Sequence, residues 1–110
     1  MKVKNEAEIL LWQQIQELRG YVRWAKEYKF HPDRKWRADF CIWDSEHNRD
    51  WMIEIEGAVF TQGRHTRGAG FIADMSKYNH AAMLGFRVLR FTPKDVLTGR
   101  AIEFIKKVLE

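Results

Sequence analysis

The chain contains a single cysteine and two prolines, and it has no apolar run near the roughly 18 residues that a membrane span requires. The lone Cys41 excludes a disulfide within the chain and a zinc site built from several cysteines. We expect Cys41 to be a small buried apolar residue. No positively charged and then apolar leader opens the sequence, so we expect a soluble, cytoplasmic protein without membrane contact.

The composition is that of a folded domain with a mildly positive charge. The 110 residues are 45% hydrophobic and 14% aromatic, which is enough for one compact domain and too little for two. We therefore expect a single domain over residues 1–110. Lys and Arg number 19 against 15 Asp and Glu, for a net charge of +4. This balance favours a polyanionic partner, although a charge of this size also serves solubility alone.

Hydrophobic periodicity and turn residues predict the element order α-β-β-β-α-β-α. The predicted helices span residues 5–19 and 71–84, with a third running from Pro93 towards Glu110. The predicted strands span residues 21–30, 36–43, 51–56 and 86–91. Residues 57–70 hold four glycines and are predicted to form a loop.

Three strands in a meander, followed by a crossover helix to a fourth, predict an α/β fold with a mixed four-stranded sheet flanked by helices. The fourth strand is expected to lie parallel to one of the others and is apolar enough to be central. Three sets of residues are each expected to share one face: Trp36, Ala38, Phe40 and Ile42 of the second strand; Trp51, Ile53 and Ile55 of the third; Phe71, Met75, Tyr78 and Ala82 as the core stripe of the second helix.

Two carboxylates interrupt the apolar third strand. Glu54 and Glu56 are two residues apart and therefore point to the same side, where like charges raise one another's pKa. A hairpin centred between residues 45 and 48 places Asp39 at the same height on the second strand, at a Cβ separation of about 5 Å. Single acids on strands usually pair with nearby Arg or Lys side chains. Three converging carboxylates instead suit Mg²⁺ or Mn²⁺, which prefer hard oxygen ligands.

Four short motifs, in order along the chain, resemble a known family. They are EILLW at residues 8–12, DF at 39–40, IEIEG at 53–57 and GFRVLRF at 85–91. Together they resemble the PD-(D/E)XK nuclease superfamily, and most closely its Vsr-like branch of very-short-patch-repair-type and related phage endonuclease domains. The resemblance implies a restriction-endonuclease-like αβββαβ core and covers residues 6–92.

The resemblance also implies roles for individual residues. Asp39, Glu54 and the carbonyl of Ile55 would hold a Mg²⁺ ion. Glu56 stands where the family motif has a lysine, so Glu56 would orient the attacking water or bind a second ion. Lys77 or His65 could replace the missing lysine.

Glu8 has two alternative roles in the first helix. It could point inward to the metal, as the family's helix glutamate does, or it could form a capping box with Asn5 as the N-cap.

Two basic segments are candidate nucleic-acid contacts. In the loop, Arg64 and Arg67 would bind the phosphate backbone and His65 would transfer a proton. The alternative is a solvated loop without a functional role. In the segment RKWR, Arg34, Lys35 and Arg37 would contact the backbone; the alternative is a strand edge kept soluble by its charges.

These features predict a metal-dependent DNA endonuclease, selective for junctions, flaps or mismatches or simply nicking. So small a domain has little surface for recognising sequence, so a second copy of the chain or a partner protein would supply specificity. The alternative, prompted by the missing lysine, is a non-catalytic nucleic-acid-binding module with the same fold.

Overall fold

A computed structural model describes residues 2–57 and 64–110, with the backbone alone at residues 2, 64–67 and 69. The order of elements agrees with the predicted order up to the fourth strand. The helices are α1 (Lys2–Gln16), α2 (Arg64–Met83), α3 (Pro93–Leu97) and α4 (Arg100–Val108), and the strands are β1 (Val22–Lys29), β2 (Arg37–Asp44), β3 (Arg49–Ile55) and β4 (Phe86–Phe91).

The strands form one open, mixed sheet in the order β1-β2-β3-β4. The pairs β1–β2 and β2–β3 are antiparallel, and β4 pairs parallel to β3. The α/β class and the mixed four-stranded sheet flanked by helices are therefore confirmed. The expectation of a central fourth strand is wrong, because the crossover through α2 adds β4 at the open side of β3 and leaves it at the edge.

Helices cover both faces of the sheet and bury two clusters of side chains. The larger cluster joins one face of the sheet to α1, α3 and α4 through residues such as Leu11, Phe40, Ile53 and Ile105. The smaller cluster lies on the face covered by α2 and contains Phe30, Ala38, Cys41, Met52 and Ala81. Cys41 is fully buried, as expected.

The predicted starts of the first two helices are wrong. Helix α1 begins at Lys2, so Asn5 lies inside the helix and cannot be its N-cap. Helix α2 begins at Arg64, so the predicted loop is helical from that residue onward, and the helix tolerates two glycines at about 1 kcal/mol each. Residues 58–63 of the predicted loop lie outside the described residues.

The third predicted helix is divided in two. Thr92 caps α3 within a capping box that it forms with Asp95. Gly99 then adopts a φ of 85° between α3 and α4. This left-handed conformation suits glycine and ends the first helix before the second begins.

The hairpin formed by β1 and β2 bends sharply in the middle. Glu27 has a φ of +49°, and the β1–β2 register omits the pair that Glu27 would form with Asp39. On one side of the bend, Trp24 packs in the larger cluster. On the other side, Tyr28 meets the ring of Trp43 at 5.0 Å, and Phe30 enters the smaller cluster.

The bend reverses which residues of β2 face α2. Phe40 and Ile42 pack with α1, whereas Ala38 and Trp36 pack on the α2 side. The expectation that these four residues share one face is therefore wrong, because alternation holds only along an uninterrupted strand. In β3, which has no such break, Trp51, Ile53 and Ile55 share one face as expected.

Within residues 2–57 and 64–110, no helix combines the length and apolar character needed to cross a membrane.

The bend makes a testable prediction about stability. Glycine adopts a positive φ without the cost that other residues incur, which is about 1 kcal/mol. We expect Glu27→Gly to keep or raise the free energy of unfolding, measured by urea denaturation. The matched control, Lys29→Gly in the same exposed strand, should lose about 0.5–1 kcal/mol. Equal losses in the free energy of unfolding of the two variants would contradict a positive φ at Glu27.

Candidate functional site

Two hydrogen bonds link Asp39 of β2 to Glu54 and Ile55 of β3 at the point where the two strands separate. The regular ladder ends at the pair Phe40 and Ile53. Beyond it, the backbone N–H of Asp39 donates to Glu54 Oε2 at 2.7 Å, and the backbone N–H of Ile55 donates to Asp39 Oδ2 at 2.8 Å. The two carboxylates thus accept hydrogen bonds from amides that lie beyond the end of the ladder.

Two side chains of α2 complete the surroundings of Glu54. Lys77 Nζ donates to Glu54 Oε1 at 2.6 Å, and the hydroxyl of Tyr78 donates to the same oxygen at 3.1 Å. Glu54 is 5% exposed, so its ion pair with Lys77 is largely shielded from water. Asp74, three residues before Lys77 on α2, lies 4.0 Å from Arg90 Nη2, while Lys77 turns inward to Glu54.

Glu56 belongs to an ion pair of its own. Its Oε2 accepts a hydrogen bond from Arg90 Nε of β4 at 3.0 Å and lies 3.2 Å from the hydroxyl oxygen of Tyr78. The Tyr78 hydroxyl thus lies between Glu54 and Glu56 and can donate its single hydrogen to either one. The two glutamates share one side of the sheet, as predicted, and that side faces α2. The expectation that Asp39, Glu54 and Glu56 surround one point is not met, because Arg90 holds Glu56 on the β4 side.

No group of three or more His, Cys, Asp or Glu side chains is close enough to hold a metal ion within the described ranges, 2–57 and 64–110. The site in this structure is thus a two-carboxylate pair with an adjacent ammonium group. Mg²⁺ and Mn²⁺ usually keep several waters and bind through one or two protein carboxylates. A pair of hard oxygen ligands beside one lysine fits such an ion, because the pair alone carries more negative charge than Lys77 neutralises.

Burial and nearby negative charge raise the pKa of both carboxyl groups. Burial is the main cause of the raised pKa of Glu54, and the charge of Asp39 adds to it. Burial also raises the pKa of Asp39 above its ordinary value, although the Ile55 N–H and the nearby Lys4 and Lys77 act in the opposite direction. Such a strained pair of acids is typical of a functional site.

Glu8 lies beside Asp39 on the other face of the sheet. Both residues line a cleft of about 580 Å³ between α1 and the β1–β2 hairpin, which Trp12 and Lys26 also line. The charge of Glu8 contributes to the raised pKa of Asp39, after burial. Of the two alternatives for Glu8, the structure excludes the capping box with Asn5, because α1 begins at Lys2. The role of Glu8 at a metal ion stays a prediction.

The RKWR segment lies at the tip of the bent hairpin. Arg34, Lys35 and Arg37 are all exposed. The guanidinium carbon of Arg34 lies 4.1 Å from the centre of the Trp36 indole ring, and Arg37 lies 3.7 Å from Glu27. The hairpin thus presents three cations close in sequence to Asp39.

The other basic segment forms the first turn of α2. The backbone of Arg64, His65 and Arg67 is helical, and their side chains lie outside the described part of the structure. Their predicted roles in phosphate binding and proton transfer stay predictions.

No protein-family model matches this chain, and no curated protein matches it either.

Sequence reasoning missed two residues of the site. Tyr78 was assigned to the core stripe of α2, and Arg90 was assigned no role. Burial raises the pKa of Tyr78, and the charges of Glu54 and Glu56 add to that effect, so the phenol stays a neutral donor between the two glutamates. The sequence feature that could have indicated Arg90 is a charged residue within the otherwise apolar strand β4. In the structure, Arg90 lies opposite Glu54 in the β3–β4 register.

The pair of carboxylates predicts how stability responds to pH. The folded-state pKa values of Asp39 and Glu54 lie above the ordinary values of 3.8 and 4.5, so protonation of these groups stabilises the folded protein. This stabilisation is complete below the ordinary pKa values and is lost as pH rises through the raised ones. Asp39→Asn keeps an acceptor for the Ile55 N–H and removes one charge. We therefore expect this variant to melt at a higher temperature than the wild-type protein in EDTA at pH 7, with the difference shrinking towards pH 4.

Asp39→Ala is the matched control for that measurement. It removes the same charge but leaves the Ile55 N–H without its acceptor, at a cost of about 1–3 kcal/mol. If Asp39→Asn destabilised the protein at pH 7 as much as Asp39→Ala, repulsion between the carboxylates would not be a significant cost of the fold.

Proposed function

We propose that this protein is a metal-dependent DNA endonuclease with a restriction-endonuclease-like core, related to the Vsr-like branch of the PD-(D/E)XK superfamily. The observation that carries the proposal is the interlocked pair of Asp39 and Glu54, with Lys77 hydrogen-bonded to Glu54. The order α1-β1-β2-β3-α2-β4 supports it, since it agrees with the αβββαβ order that the sequence motifs imply.

The position of Lys77 supports a solution to the missing lysine. Glu56 occupies the motif position, but the Nζ of Lys77 reaches Glu54 Oε1 at 2.6 Å from the neighbouring helix. An ammonium group is therefore present beside the acidic pair although it comes from another element. This placement favours Lys77 over His65 as the substitute.

Asp39 and Glu54 would hold the Mg²⁺ or Mn²⁺ ion, with the carbonyl of Ile55 as a further oxygen donor. When bound, such an ion neutralises charge on a phosphoryl oxygen and lowers the pKa of a water molecule. Glu54 can take part because its Lys77 contact is a side-chain hydrogen bond, which can be exchanged without moving the sheet.

The other residues of the site position groups and stabilise charge. Lys77 can donate hydrogen bonds to a phosphate oxygen or to the attacking water, from a place next to the acids. Tyr78 holds Glu54 and Glu56 in a fixed relation. Glu56 in turn orients Arg90, whose remaining N–H groups can stabilise negative charge that develops on the phosphate.

Cations on the bent hairpin would contact the DNA backbone. Arg34, Lys35 and Arg37 precede Asp39 on the same segment, and Arg64, His65 and Arg67 begin the helix that carries Lys77. Backbone contacts of this kind position DNA without reading its sequence. Selectivity would therefore come from the structure of the DNA, from a second copy of the chain or from a partner protein.

The proposal is tested by incubating the protein with supercoiled plasmid, a four-way junction and single-stranded DNA, each with Mg²⁺, Mn²⁺ or EDTA. We expect cleavage with either metal and none in EDTA. Asp39→Asn and Lys77→Met should each reduce the rate by about 10²-fold or more, while DNA binding survives. The matched control, Lys106→Met on α4, should cleave at the wild-type rate. Cleavage by Asp39→Asn at the wild-type rate would contradict the assignment.

One observation favours a second candidate, a non-catalytic nucleic-acid-binding module. Both oxygens of Glu54 already accept hydrogen bonds, from Asp39, Lys77 and Tyr78, so the carboxylate is satisfied without a metal. Calorimetry with Mn²⁺ separates the two candidates. Heat of binding that disappears in Asp39→Asn supports the nuclease, and its absence in the wild-type protein supports the module.

A further inference from the structure

The tip of the bent hairpin contains a stack of planar groups that the proposed cleavage chemistry does not use. Buried Phe30 lies nearly parallel to Trp36, with ring centres 6.3 Å apart and an angle of 14°. The guanidinium carbon of Arg34 lies 4.1 Å from the centre of the same indole ring. Because Phe30 is buried and Arg34 is exposed, the stack runs from the core to the solvent.

Two histidines hold this stack in place. The backbone N–H groups of Asp33 and Arg34 both donate to His31 Nδ1, at 3.1 and 3.0 Å, so the turn that carries Arg34 has a fixed shape. His80 of α2 lies with its ring centre 5.1 Å from those of both His31 and Trp36. The exposed end of the stack is thus preorganised by the fold.

Arg34 differs from Arg90 and Arg37 in having no acidic partner among the described residues. Arg90 is paired with Glu56 and Arg37 with Glu27, whereas Arg34 forms no ion pair with any residue in the described parts of the chain. Its guanidinium carbon instead lies over the Trp36 ring, 4.1 Å from the ring centre, in an exposed side chain that a ligand can reach. A lone surface cation that served only solubility would not need this arrangement.

The stack is also close to the proposed cleavage site. Trp36 precedes Asp39 by three residues, and His80 follows Lys77 by about one turn of α2, a rise of about 4.5 Å. A nucleic acid with its phosphate at the carboxylate pair would therefore have neighbouring nucleotides at the hairpin tip. Unpaired bases stack on aromatic rings and on arginine guanidinium planes, whereas bases inside a duplex are already stacked on one another.

We propose that the layered Phe30, Trp36 and Arg34 side chains bind an unpaired nucleobase on the outer face of the Arg34 guanidinium group. This inference rests on the proposed function and makes its substrate class more specific. The preferred substrate has an unpaired nucleotide beside the cleaved bond, as in a flap, a junction or a single strand.

The test measures binding in EDTA, where no cleavage occurs. Two oligonucleotides of equal length carry the fluorescent base 2-aminopurine, one as a single strand and one within a blunt duplex, at one fixed salt concentration. We expect tighter binding of the single strand, with quenching of 2-aminopurine as it stacks. Arg34→Lys keeps the positive charge and removes the planar guanidinium group. This variant should therefore bind the single strand about tenfold more weakly and no longer quench 2-aminopurine, whereas its binding to the duplex should be nearly unchanged.

Arg100→Lys is the matched control, because it makes the same chemical change in an exposed arginine of α4 that pairs with Asp95 instead of stacking. It should retain both the preference and the quenching. Thermal unfolding of each variant checks that it is folded, and because Arg34 is exposed, Arg34→Lys should melt like the wild-type protein. Equal affinity of the wild-type protein for both oligonucleotides, or unchanged quenching in Arg34→Lys, would overturn the inference.

These outcomes are distinct from failure of the proposed nuclease. A protein that cuts DNA with Mg²⁺ but binds both oligonucleotides equally retains the proposed function and loses the stacking site. A protein that prefers the single strand through Arg34 but never cleaves keeps the stacking site and supports the binding module.

Discussion

The structure depends on the exchange of hydrogen bonds between Asp39 and the end of β3. The β2–β3 ladder ends at Phe40 and Ile53, which leaves the N–H groups of Asp39 and Ile55 beyond it. The carboxylates of Glu54 and Asp39 accept these two N–H groups. The same atoms that complete the sheet are the ones proposed to bind metal, so the site is part of the frame that positions it. Acids that lay only on the surface would accept no hydrogen bonds from the backbone of the sheet, whereas these two do.

Much of this arrangement could be predicted from the sequence because it depends on local rules. A polar turn between two alternating strands predicts a hairpin centred between residues 45 and 48, and the observed pairing of Asp44 with Arg49 agrees with it. That register alone places Asp39 beside Glu54. The alternation of side chains along β3 likewise predicts that Glu54 and Glu56 share one face of the sheet, which in the structure is the face covered by α2. The partners of these acids were harder to predict, because Arg90 is more than 30 residues away in the chain and its pairing depends on the tertiary fold.

Two features could not be predicted because they break the rules on which the predictions depend. A glutamate rarely adopts a positive φ, so nothing at Glu27 indicates that the hairpin bends or that Ala38 changes face. The core stripe predicted for α2 includes Phe71 and Met75, yet these side chains are 62% and 53% exposed. The inward face instead carries Lys77, Tyr78 and Ala81, because the face of the sheet it covers holds carboxylates. Hydrophobic periodicity fails where the buried partner is itself charged.

The spacing of the charged residues along the chain has a consequence for how the protein folds. Asp39 and Glu54 are 15 residues apart, within one hairpin, whereas Lys77 follows Glu54 by 23 residues. Short loops close at a lower entropic cost, so the meander is favoured to form before the crossover helix docks. The two acids then meet before their ammonium partner arrives. Docking of α2 would then bring Lys77 next to the two acids and relieve their repulsion. In this order of folding, the site would be completed when the crossover helix packs on the sheet.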